Sequence, residues 1–309
     1  MTATGPVPAP GDDGAARIYD RGYRRYEGER RGVGGAVRSV AVSTAQRALG
    51  LRRSAGAKVL PVLSVAIAYL PAIVFVGISA FFGDRFGIDA NEALPDYPEY
   101  YGFITLAIVL FAAFVAPEVL CTDRRTGMLG LYLASPLTRD TYLAAKALAV
   151  AGLMALVTLG PPLLLLVGLV LNDAGPDGIA ELAGLLVRMV AAGAAVAVLQ
   201  TSLALAVSSF TTRKAAASGA IILLLLASSA LAGTLASIDG APSGVFLVDL
   251  FSLPFELVYR IYGSSQSIDD GTGVAAEVST AALVGAYLGW TALCWIIVRV
   301  RYQRLAISR

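Results

Sequence analysis

The sequence predicts an all-α integral membrane protein with six transmembrane helices, cytoplasmic N- and C-termini, an amphipathic surface helix before the first span and re-entrant helices before the last. Three observations carry this expectation. Hydrophobic residues make up 57% of the chain, above the roughly 45–50% of soluble domains, so a globule in water could not hide them. Charged residues are bunched into a few segments between long stretches with none or one, as expected where an ionised side chain at mid-bilayer costs about 2.5–3.5 kcal/mol. Lysine and arginine gather on alternate connections, which sets an orientation.

The chain begins with a Pro-, Gly- and Ala-rich stretch, residues 1–16, too poor in apolar residues to fold alone and expected as a disordered tail. A basic cytoplasmic region follows over residues 17–58. Within it Val33, Val37, Val40, Thr44, Ala48 and Leu51 recur at helical spacing, the pattern of a helix lying on the membrane surface; a solvated basic linker is the alternative.

Six apolar runs then occupy residues 59–298, at about 59–82, 101–120, 147–171, 184–210, 216–238 and 280–298. Each is near the roughly 20 residues that cross about 30 Å of hydrocarbon. Arg and Lys are frequent before the first run, between the second and third (Arg124, Arg125, Arg139, Lys146), between the fourth and fifth (Arg213, Lys214) and in the basic tail, residues 299–309. The opposite connections hold Arg85 and Arg260 among many acids, including Asp84, Glu92, Asp96, Asp173 and Asp269. This places both chain ends in the cytoplasm. Between the fifth and sixth runs, residues 245–262 are apolar but broken by Asp249, Pro254, Glu256 and Arg260, so short re-entrant or interfacial helices fit better than a further crossing. An external amphipathic loop is the other reading.

The connection between the second and third runs is neither short nor polar. Thr122 and Asp123 are helix-starting residues, Met128, Leu129, Leu131, Tyr132 and Leu133 form an apolar face, and Ser135-Pro136 stops the helix. A second start follows at Thr138 and leads through Tyr142 and Lys146 into the third span. The expected product is a short amphipathic helix at the cytoplasmic side. It could serve as a lever or only anchor the loop.

Here the chain resembles the membrane-spanning subunits of ABC type-2 (ABC-2) exporters. The elements that carry the resemblance are Glu118 near the end of the second span, Asp123 to Arg125, Gly127 to Leu129, Ser135-Pro136-Leu137-Thr138-Arg139, and Tyr142-Leu143 with Lys146. The Arg- and Tyr-rich lead over residues 19–28 looks like that of a bacterial, actinobacterial subgroup. One departure is Gly130, where many members carry glutamate. The resemblance implies a permease subunit in a bacterial cell membrane, which forms the translocation pathway with a second permease copy, the same chain or a paralogue. It also implies a separate cytoplasmic ABC ATPase subunit. Asp123, Arg124, Arg125, Gly127, Leu129, Tyr132, Ser135, Pro136 and Arg139 are then the ATPase-coupling residues.

The sequence has no Gly-x-x-x-x-Gly-Lys-[Ser/Thr] phosphate loop, so ATP and Mg are expected on the partner, with no cofactor on this chain. Glu118, Arg188, Pro254 and Glu256 are pathway or gating candidates, being ionisable or helix-breaking residues at or within apolar segments. No histidine is present, which excludes histidine triads and histidine-ligated zinc, and no metal-ligand set or nucleic-acid partner is expected. The rival readings are an intramembrane lipid-modifying enzyme and a non-catalytic membrane scaffold. The first would need clustered acids or a nucleophile with its base, and the second would have no use for a docking segment. The cargo is not written in the pathway walls, which are Ala, Leu, Val and Gly.

Overall fold

The structure is a computed structural model that describes residue 28 and residues 32–51, 55–86, 95–172, 175–176, 178–238, 242–264 and 277–305. The expected tail over residues 1–16, the lead over residues 19–28 apart from Gly28, and the last four residues of the basic tail lie outside this set. Met1–Arg31 counts as a separate unit from Gly32–Arg309, which is the unit described below.

Among the described residues, six helices are long and apolar enough to cross a membrane: Lys58–Phe81, Tyr97–Arg125, Arg139–Leu171, Ile179–Ser208, Lys214–Ala236 and Thr280–Arg304. No strand occurs among the described residues. In chain order the elements are α1 (Gly32–Ala48), α2 (Ala55–Phe86), α3 (Tyr97–Arg125), α4 (Met128–Leu133), α5 (Arg139–Thr158), α6 (Gly160–Leu171), α7 (Ile179–Ser208), α8 (Lys214–Ala236), a 3-10 helix η1 (Ser243–Val248), α9 (Leu253–Tyr262) and α10 (Thr280–Arg304). The third span is α5 and α6 in series.

The second span is the hub. Of its most apolar window 67% is buried, against 22% for the first and last spans. It touches α2, α5, α7 and α8, so the perimeter helices turn their Leu, Val and Ile side chains outward, where lipid tails accept them.

Local sequence explains the ends. Pro98 sits in the first turn of α3, where its missing N–H costs nothing, and the Glu99 carboxylate accepts from the Asp96 N–H at 3.3 Å. Thr138 caps α5, its hydroxyl accepting from the Thr141 N–H at 3.2 Å while the Thr141 hydroxyl accepts from the Thr138 N–H at 2.8 Å. Ser279 caps α10 through the Ala282 N–H at 3.2 Å.

The break between α5 and α6 follows from Pro161 and Pro162, which remove donors inside a span. The Thr158 carbonyl, four residues before Pro162, receives the Tyr101 hydroxyl at 3.1 Å instead, and the Leu156 carbonyl receives the Tyr69 hydroxyl at 3.0 Å. The Thr158 hydroxyl donates to the Gly193 carbonyl at 2.9 Å. A side chain at Gly193 would meet Leu159 Cδ2 at 2.2 Å and the Thr158 carbonyl at 3.1 Å, so the fourth span needs glycine there to approach the bend.

Between the fifth and sixth spans the chain folds back in two short helices, η1 against α8 and α9 against α7. The Asp249 carboxylate shapes the turn between them, accepting from the N–H groups of Phe251 at 3.0 Å and Ser252 at 3.1 Å.

Candidate functional site

The segment joining the second and third spans differs from expectation in one respect. Thr122 and Asp123 do not start the short helix; they belong to the last turn of α3, which runs unbroken to Arg125. The break comes at Gly127, whose φ of 66° is left-handed, and α4 then starts at Met128. Hydropathy fades at Leu120, but nothing in Cys121-Thr122-Asp123-Arg124-Arg125 opposes helix, so the backbone continues past the apolar run.

This geometry buries Asp123, which is 1% exposed. Its carboxylate accepts from Arg47 of α1 at 2.6 Å, from Lys146 of α5 at 2.6 Å and from the Tyr142 hydroxyl at 2.8 Å. Lys146, fully buried, also donates to the Thr44 hydroxyl of α1 at 2.8 Å and lies 5.0 Å from the centre of the Tyr132 ring of α4. One carboxylate therefore joins α1, α3 and α5, and Tyr132 brings α4 into the same cluster. Burial pulls the Arg47 pKa down, but the charge of Asp123 and the contact with Tyr132 outweigh it, so the value stands above the ordinary one. Burial and then the Asp123 charge push the Tyr132 phenol up.

An apolar contact reinforces the cluster. Val40 of α1, Leu137 and Ala145 are buried together, with Val37 and Tyr132 against them. The expected apolar face of α1 is thus present in its C-terminal half, Val40, Thr44 and Ala48, whereas Val33 and, beyond the helix, Leu51 are exposed.

The neighbouring charges tie this end of the bundle together. Arg124 donates to the carbonyl of Ser209 and, at 3.3 Å, to that of Thr211, satisfying carbonyls just past α7 where the helix dipole favours a cation. Arg139 does the same for α10, donating to the carbonyls of Gln303 and, at 3.1 Å, Tyr302. Glu118 pairs with Lys214 at the start of α8 and accepts from Thr122 at 3.3 Å. Asp140 and Arg299 form an exposed pair at 3.0 Å.

Of the other residues singled out in the sequence, Leu129 and Tyr132 pack inward against the core, whereas Arg125, Gly127, Ser135 and Pro136 are exposed. The Ser135 hydroxyl closes the end of α4 on the Tyr132 carbonyl at 2.5 Å. Leu131 is 66% exposed and forms the outward apolar point of α4. Sequence reasoning gave no site role to Arg47, Thr44 or Lys146. The signal for Lys146 was a lone lysine two turns into α5, where the apolar third span begins, and such a lysine must find an anion when buried.

Pro254 and Glu256 lie elsewhere, in α9. Pro254 occupies its first turn, and the fully buried Glu256 accepts from Arg260 at 2.7 Å, while Arg260 reaches the Val278 carbonyl at 3.2 Å. Arg188 is exposed on α7, close enough to Tyr262 for its charge to oppose the upward pull of burial on that phenol.

Comparison with curated protein sequences finds no match. The family described as ABC-2 family transporter protein matches residues 15–305, nearly the whole chain. With six apolar spans among the described residues, the second of them the most buried, the chain belongs to the ABC-2 transporter family and is a membrane transport subunit.

Proposed function

We propose that this chain is the permease of an ATP-driven exporter in a bacterial cell membrane, paired with a second permease copy and driven by a separate cytoplasmic ABC ATPase. The end that carries α1, α4 and both basic connections faces the cytoplasm. ATP and Mg are held by the ATPase, and this chain contributes the pathway and the mechanical link.

The observation that carries the reading is the attachment of α4. Leu131 points away from the bundle, as a docking helix requires, while Tyr132 on the other face is held by the cluster of Asp123, Lys146 and Arg47. A push on Leu131 therefore reaches α1, the second span and the third span together, because packed elements shift as units rather than deform continuously. Arg125 and Ser135 form the polar rim around that apolar point, with Pro136 exposed beside them. Asp123, Arg124 and Arg139 act from behind it, as positioning residues bonded to other elements of this chain. Glu118 with Lys214 and Glu256 with Arg260 fix the two ends of the pathway.

The test is capture of the cognate ATPase in detergent. Replacing a docked leucine by a charged residue forfeits about 1.5–3 kcal/mol, so Leu131→Glu is expected to weaken capture roughly ten- to a hundredfold with the melting temperature of the permease alone unchanged. Undiminished capture by L131E, or labelling of a cysteine at position 131 from outside intact cells, would overturn the proposal.

A further inference from the structure

On the outer surface of the bundle, between the fifth and sixth spans, lies an apolar cavity of about 420 Å³. Phe210 follows the fourth span at one end, Ala227 and Leu231 of α8 form one wall, and Trp290 and Ile297 of α10 form the other. Val248, the last residue of η1, contributes the far end. The cavity is built rather than incidental. The Trp290 indole N–H donates to the Leu247 carbonyl at 2.9 Å, and the Leu250 N–H donates to the Ser228 hydroxyl at 3.2 Å, so η1 is tied to the sixth span and the turn that follows it to the fifth. Phe210 and Leu231 are more than half exposed, at 57% and 51%, which opens the cavity to the surrounding lipid.

The end at Phe210 is positively charged. The Arg301 guanidinium lies 4.5 Å from the centre of the Phe210 ring, and among the described residues it has no acidic partner. A guanidinium held over an aromatic ring still has N–H donors for a planar or tetrahedral anion. Arg213 and Arg304 stand exposed at the same end of the helices.

We propose that this cavity is a binding site for an anionic phospholipid, with one acyl chain between α8 and α10 and the phosphate on Arg301. An apolar slot ending in a cation at the helix ends matches the layering of such a lipid, and a zwitterionic lipid gains less because its own cation opposes the arginine. Occupancy fills the gap between the fifth and sixth spans and braces η1.

The chain's two tryptophans permit a direct test, because Trp290 lines this cavity while Trp295 lines a different one beside Asp140 and Arg299. In W295F protein in detergent, quenching of Trp290 is followed as chain-brominated phosphatidylglycerol or phosphatidylcholine is added at a limiting ratio. Phosphatidylglycerol should quench at roughly one tenth the amount of phosphatidylcholine, the ratio a single charge-assisted pair supplies. Arg301→Gln should abolish the difference and Arg301→Lys retain part of it. Ala227→Phe, which fills the slot, should weaken quenching by both lipids while size-exclusion elution and melting temperature report an intact fold. Equal quenching by the two lipids in the parent, or a preference that survives R301Q, overturns the assignment. So does an A227F protein that loses a dimer but still takes up lipid, since a second copy would then be the occupant.

Discussion

The Asp123 carboxylate and the Lys146 ammonium meet at 2.6 Å, with side chains 1% and 0% exposed, at the point where the surface helix, the second span and the third span join. A buried pair of this kind adds little net stability over an apolar core, yet breaking it is costly because the survivor stays charged and dry. Asp123→Asn would leave Lys146 and Arg47 facing each other without an anion, and should cost about 3–5 kcal/mol. The joint replacement Asp123→Leu with Lys146→Met should recover much of that loss. Thermal unfolding of the purified proteins, followed by size exclusion, measures both. Equal melting temperatures for D123N and the parent would show that the cluster is not under this electrostatic constraint.

Glu118 and Lys214 form a second ion pair a turn away from Asp123, and depth separates the two. Their side chains are 15% and 31% exposed, so water screens the charges and shares their hydrogen bonds. Lys214→Gln should shift stability by about 0–1 kcal/mol. The same melting assay compares it with D123N, and a loss as large as that of D123N would mean the pair is closed to solvent when the protein is embedded.

The spans were legible because hydrocarbon forces long apolar runs, and the six runs expected from residues 59–298 all appear as helices. Their ends at the basic side were not. Hydropathy stops at Leu120 and resumes at Ala147, whereas the helices reach Arg125 and begin at Arg139, since Asp123, Arg139, Asp140 and Lys146 are polar without being helix breakers. The short helix after the second span was expected to begin at Thr122 and Asp123, which are helix-starting residues; the break comes instead at Gly127, in a left-handed conformation. The role of Asp123 was hidden for a different reason. Arg47 is 76 residues away in sequence, and no local pattern announces a partner at that distance.

The bend in the third span makes a prediction independent of any partner. Pro162 deprives the Thr158 carbonyl of its helical donor and Tyr101 replaces it at 3.1 Å, in a place where neither group is exposed. Tyr101→Phe should therefore cost about 1–3 kcal/mol, the penalty for a buried acceptor left without a donor. Pro162→Ala returns an N–H to the helix, so in the Y101F background it should be better tolerated than in the parent. A double-mutant cycle on melting temperature reads this coupling, and strict additivity would show that Tyr101 and Pro162 do not share the carbonyl.

Gly127 lies between the buried Asp123 cluster and the exposed Leu131, the residue proposed to dock on the ATPase. Its φ of 66° is open to glycine and tolerable for asparagine, but strained for a β-branched side chain, at a cost of about 1–3 kcal/mol. No atom beyond its neighbours lies within 4 Å of where a Cβ would stand, so crowding does not confuse the comparison. Gly127→Val should relieve its strain by re-aiming α4, since Asp123 upstream is ion-paired to Arg47 and Lys146 whereas α4 is held by the packing of Leu129 and Tyr132. ATPase capture and transport should fall while the melting temperature changes much less than in D123N. Gly127→Asn should stay close to the parent in both measurements. If G127V lowers the melting temperature as far as D123N with capture intact, the glycine serves the stability of the bundle and not the direction of α4.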